Sequence, residues 1–223
     1  IMRKLTSSLR KGYGSQSWDL RYLTNRGPRV APGTYKVAID KKFEDSVTRL
    51  IEPTEFTVKA LPNALGTPDY STNFAFYQQV TDLNGDISSA RGKIRHMNER
   101  IESMRKILAG MAVESNALEA DLRAAKEQID AVTKVIVGGF GAKNSALSRL
   151  RFALYAAGSA EVDITGAMKE QYALANELYN SKSAELEALY KTTLPALEKQ
   201  FEELGGKLYN EPPGRSWWFE EDK

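Results

Sequence analysis

The chain has no cysteine and only one histidine among its 223 residues. The first absence excludes a disulfide framework, a thiolate zinc site and a cysteine nucleophile. The second leaves too few imidazoles for a histidine-built metal site or a Ser-His-Asp triad. An excess of one charge is also missing: 31 Lys and Arg stand against 29 Asp and Glu, a net charge of +2. Nucleic-acid-binding surfaces ordinarily carry a clear basic surplus, so the balance argues against nucleic acid as a partner. No apolar run reaches the ~18 residues that would span a bilayer. No basic-then-apolar leader precedes the first elements, which says nothing about compartment. The opening Ile1-Met2-Arg3 reads as the interior of a longer chain. What is present is 42% hydrophobic residues, enough to build a core. Composition argues against catalysis and names no function.

Two periods divide the sequence. Five of the eight prolines lie before residue 70 and punctuate it with turns. Between those turns apolar residues alternate: Trp18, Leu20 and Tyr22; Tyr35, Val37 and Ile39; Phe56 and Val58. A period of two places each set on one face of a half-buried strand. Val47 to Ile51 and Ile1 to Leu5 are read as two further strands. Short strands between turns predict a small antiparallel β-sandwich over residues 1–70.

From Tyr70 onward the period changes. Phe76, Val80, Leu83, Ile87, Ala90, Ile94, Met97, Ile101, Met104 and Leu108 alternate by fours and threes. This is a heptad seam, and it predicts a helix over residues 72–109, roughly 57 Å long. Ser71 or Thr72 is expected to cap its start and Gly110 to stop it. A second seam runs through Leu118, Leu122, Ala125, Ile129, Val132 and Ile136. A shorter helix is expected over Ser145 to Ala157. The last long helix begins near Thr165 and carries Met168, Tyr172, Ala175, Tyr179, Leu186 and Leu189. Pro195 interrupts it, and a kink is expected there because proline deletes the bond to the Lys191 carbonyl. Leu197, Phe201 and Leu204 resume the stripe before Gly205-Gly206 ends it. Stripes of this kind must be buried against one another. The expected fold is therefore α+β: the sandwich, incomplete at its N-terminus, followed by an elongated antiparallel helical hairpin or bundle over residues 71–206. An even number of helical passes would return the extended tail, residues 207–223, to the β domain.

Candidate sites weigh lightly against this frame. Asp82, Asn84 and Asp86 begin like a calcium loop, but Ile87 and Lys93 stand where glycine and glutamate are needed. Gly138-Gly139-Phe140-Gly141 lacks the Lys-Ser/Thr of a phosphate loop and follows a helix. His96 has no carboxylate partner in sequence and is read as a helix-surface residue. Glu99, Glu102, Glu185, Glu187, Glu198, Glu202 and Glu203 read as a solvated face and not as an acid–base pair. Trp217, Trp218 and Phe219 form the most unusual local feature, a strap behind Pro212-Pro213-Gly214 that docks in the same molecule or on a partner. No cofactor or metal is expected.

Two stretches carry a resemblance. Gly14-Ser15-Gln16-Ser17-Trp18-Asp19-Leu20-Arg21, then Gly27-Pro28, then Ala31-Pro32-Gly33-Thr34-Tyr35-Lys36-Val37 resembles a passage in large secreted bacterial proteins with sortilin-like or sialidase-like (BNR-type) β-propellers, often labelled glycosyl hydrolases. Leu194-Pro195-Ala196-Leu197-Glu198 through Leu204-Gly205-Gly206, with Pro213-Gly214-Arg215 beyond, is similar to their ends. The resemblance implies an immunoglobulin- or fibronectin-III-like domain in which Pro32-Gly33 turns the chain and Trp18 and Tyr35 enter the core. It implies a propeller upstream of Ile1, a secreted, periplasmic or surface location, and a noncatalytic scaffold or interaction role. Two alternatives stay open: an accessory part of a carbohydrate-processing enzyme, and a coiled-coil oligomerisation module. The partners expected are the upstream propeller and another protein chain.

Overall fold

The computed structural model describes residues 1–8, 12–25, 27–60, 68–111, 115–139, 144–156 and 163–208. The described elements are β1 (Gly33–Phe43), β2 (Ser46–Val58), α1 (Tyr70–Leu108), α2 (Asn116–Ile136), α3 (Ala146–Ala156), α4 (Gly166–Ala188), a π-helical turn (Leu189–Thr193) and α5 (Leu194–Glu203). They fall into two compact units, Ile1–Asp86 with Leu147–Asn176 and Ile87–Ala146 with Glu177–Lys223. Among the described residues no helix is long and apolar enough to cross a membrane.

The expected β-sandwich is not there. The chain is mostly helical, and among the described residues its sheet is a two-stranded antiparallel ribbon, β1 beside β2. Three local facts explain the difference. Leu20 and Leu23 have φ of 56° and 52°, left-handed values that no extended strand accommodates, so the alternation from Trp18 to Tyr22 forms no strand. What remains there is one bridge, Arg21 with Arg29. The stretch Val47–Ile51 is no separate strand but the first half of β2, which continues past Pro53 because the ladder slips between Val37 and Ile39. Residues 1–5 form no strand. The hairpin turns without glycine at Glu44-Asp45, where Glu44 takes φ of 50°.

In the first unit, α1 opens on a cap that the sequence reading misplaced. The cap is Asp69, not Ser71 or Thr72. Its carboxylate accepts the Thr72 N–H at 3.0 Å and the hydroxyls of Thr72 and Ser71 at 2.7 and 2.9 Å. These hydrogen bonds, those from Thr72 foremost, lower its pKa to about 2. Buried Asn73 accepts the Ile164 N–H, and Phe76 meets the Tyr172 ring edge-on with centroids 5.6 Å apart. Tyr22 meets Phe74 in the same way at 5.9 Å.

In the second unit the seams close as their periods require. Ile87, Ala90, Ile94, Met97, Ile101, Met104 and Leu108 of α1 are buried, and so are all six seam residues of α2. Glu187 takes Lys93, Tyr190 meets His96, and Glu198 takes Arg100. The partners rise together along both helical segments, so in this unit α1 runs parallel to the α4–α5 strip. In the same unit α2 packs against the π turn and α5.

Pro195 is accommodated by a π turn. The Leu194 N–H bonds to the Leu189 carbonyl five residues back, and proline then lies in the first turn of α5, where a missing donor costs nothing. The helix ends as the glycines predicted. Gly206 N–H returns to the Phe201 carbonyl and Gly205 N–H to Glu202, with Gly205 at φ 88°, the double bond of a Schellman cap.

Candidate interaction surface

The ribbon is where apolar surface and open backbone coincide. Its closed end is built by the residues around the first turns. Arg21 and Arg29 bridge, Tyr22 N–H bonds to the Pro28 carbonyl and Val30 N–H to the Leu20 carbonyl. Gly27 is required there, because an added Cβ would run into the Tyr22 carbonyl. This loop aims Trp18 at the ribbon. The indole N–H donates to the Arg21 carbonyl at 2.9 Å, and the ring stands edge-on to Tyr35 and Phe56, centroids 6.0 and 6.1 Å away. Tyr35 donates its hydroxyl to the Ala31 carbonyl at 2.6 Å, and burial pushes its pKa up.

Residues paired directly in an antiparallel ladder project to one face. Tyr35 pairs with Phe56, Val37 with Thr54 and Ile39 with Ile51, so these share the face that Trp18 covers at one end. Beyond Trp18 that face is uncovered: Val37 is 52% exposed, Ile39 48%, Ile51 48% and Phe43 64%. Lys41 reaches over the Phe43 ring at the tip. The opposite face carries the ion pairs of Lys36 with Glu55 and Asp40 with Arg49, with exposed Val47 across from Lys42 near the tip. One ribbon thus has a mainly apolar side and a mainly charged side, as a strand pair with a partner has.

Of the residues singled out in the sequence, Trp18 and Tyr35 belong to this cluster. Pro32 precedes β1, and Gly33 is its first residue, paired with Val58, not the corner of a tight turn. Pro195 lies in the other unit. Trp217, Trp218 and Phe219, with Phe140 and Gly141, lie outside the described residues. Asp82 and Asp86 are exposed on α1. The glutamates answer bases: Glu187 lies against Lys93 and Lys191, which lower its pKa, Lys93 first, while Glu198 takes Arg100 and Glu99 takes Arg95. His96 rests edge-on to Tyr190, centroids 5.8 Å apart. Among the described residues no three acidic, histidine or cysteine side chains converge on a point that would hold a metal ion. Sequence reasoning missed the open residues Phe43 and Ile51. The alternation of β1 showed the face as far as Ile39, but the expected sandwich supplied that face with a cover, so its openness was not read.

A comparison with protein-family models, with curated proteins and with solved structures finds no match to this chain.

Proposed function

We propose that this chain is a noncatalytic scaffold and interaction module, the C-terminal region of a secreted or surface bacterial protein with an upstream β-propeller. The observation that carries the reading is the open apolar face of the β1–β2 ribbon, set beside helical seams that are closed. A chain that buries Ile101 and Leu122 completely yet leaves Val37, Ile39, Ile51 and Phe43 half in water holds that surface for another body. The partner we assign to it is the propeller. Trp18 and Tyr35, which belong to the passage that resembles propeller-bearing proteins, build the closed end of the same face. The helices serve as a stiff support, since their stripes are consumed in mutual packing.

The test is amide hydrogen exchange on the chain alone and on the chain joined to its upstream region. Exchange in β1 and β2 slows on joining if the face is covered. Unchanged exchange there, or turnover of glycoside substrates by the chain alone, overturns the reading.

A further inference from the structure

Beside its open face, the ribbon has an open edge, and its two edges differ. The β2 edge is broken by Pro53 and by two slips of register, between Val37 and Ile39 and between Ile39 and Asp40, which place the extra residues on β2. The β1 edge has no proline and no inserted residue across its eleven positions, and among the described residues it pairs only with β2. A regular edge with unpaired N–H and C=O groups is a template for another strand.

We infer that β1 pairs antiparallel with β1 of a second copy of this chain, about a two-fold axis through Ala38. The charge pattern of β1 selects both the occupant and the register. Ala38 is the midpoint of Gly33–Phe43, so this axis pairs the strand over its whole length. It sets Lys36 opposite the second copy's Asp40, and Asp40 opposite the second copy's Lys36. With the pairs already present in each ribbon, a single row across the four strands reads Glu55, Lys36, Asp40, Arg49, alternating in sign. Cross-strand pairs of opposite charge stabilise a sheet and like pairs oppose it. On the other side, Val37 falls opposite the second copy's Ile39, so the two apolar faces join into one.

Neighbouring registers fail this test. An axis through Ile39 places Lys36 against Lys42, and an axis through Val37 leaves Asp40 against Thr34. An axis between residues would continue the apolar face of one copy with the charged face of the other. The blocked β2 edges end the sheet at four strands, so the assembly closes as a dimer and does not grow into a fibre. The inference rests on the proposed interaction role and deepens it: the second copy takes the edge, and the face stays free for the propeller.

The experiment is sedimentation of the full chain over a concentration series reaching the hundred-micromolar range. A concentration-dependent dimer is expected. Lys36→Asp and Asp40→Lys, each alone, bring like charges together twice across the axis and weaken the dimer by at least about tenfold. Mixed one to one, the two variants restore opposite pairs and associate with each other. Circular dichroism confirms that each keeps its helices. As a second reading, Ala38→Cys forms an inter-chain disulfide on oxidation of a chain that has no other cysteine, while Thr34→Cys does not. A monomer at every concentration overturns the pairing, and hands the edge to a strand of a different protein. So does a mixture that associates no better than its components. Neither result touches the exchange test of the face, so the two proposals fail separately.

Discussion

Trp18 stands edge-on to Phe56, ring centroids 6.1 Å apart and planes at 89°. This contact is the boundary of the ribbon's own core. On one side of it lie Tyr35 and the loop that carries Trp18; on the other, Val37, Ile39 and Ile51 lie half in water on the same face. Trp18→Ala should therefore cost about 2 kcal/mol, less than a fully buried tryptophan, by removing two ring contacts and the bond to the Arg21 carbonyl. Trp18→Phe should recover most of that loss. Denaturant unfolding checks both, and a Trp18→Ala protein as stable as the parent would detach the ring from the fold.

Asp69 sets a pH dependence at the start of α1. Its folded pKa, about 2, lies below the ordinary carboxylate value because Thr72 and Ser71 hydrogen-bond to the ionised form. Between about pH 4 and pH 2 the unfolded chain therefore binds the proton that the folded chain refuses. The cap's contribution is fully present above that window and is lost as the pH falls through it. Stability measured from pH 5 downward should fall less steeply in Asp69→Asn than in the parent. Carboxyl NMR should find Asp69 titrating near 2; an ordinary value would remove the cap from the explanation.

Tyr77 is 2% exposed, and among the described residues its hydroxyl has no hydrogen-bond partner. Burial also raises its pKa. A buried hydroxyl left unpaired is a desolvation cost without return, so Tyr77→Phe should stabilise the protein by about 1 kcal/mol. A loss of stability on thermal or denaturant unfolding would mean that the hydroxyl is bonded.

The helices were legible in the sequence because a heptad seam states both a period and a burial. Every residue of the α1 seam from Phe76 to Leu108 is buried, as are Leu118 through Ile136 of α2. A strand's alternation states only a face. Tyr35, Val37 and Ile39 do share one, but nothing in a period of two says whether a second sheet lies on it. Trp18, Leu20 and Tyr22 alternate as well, and the left-handed backbone at Leu20 makes the likeness empty. Local competition explains the smaller misses. Asp69 outdid Ser71 and Thr72 as a cap because its two oxygens accept from both. At Pro195 the sequence could not show the π turn, in which one inserted residue moves the missing donor to the start of a helix. The placing of Lys36 and Asp40 at equal distances from Ala38 was readable from the start, but it acquires meaning only once β2 is known to take the other edge.

The openness of the ribbon's apolar face is tested most directly by placing one substitution at two isoleucines. Ile129→Thr, at a seam position 2% exposed, should cost about 3 kcal/mol in denaturant unfolding. Ile39→Thr, on the open face and keeping a β-branched side chain, should stay within about 0.5 kcal/mol of the parent at dilute concentration. Equal losses at the two positions would mean that the chain covers the face itself, and would contradict an interaction surface there.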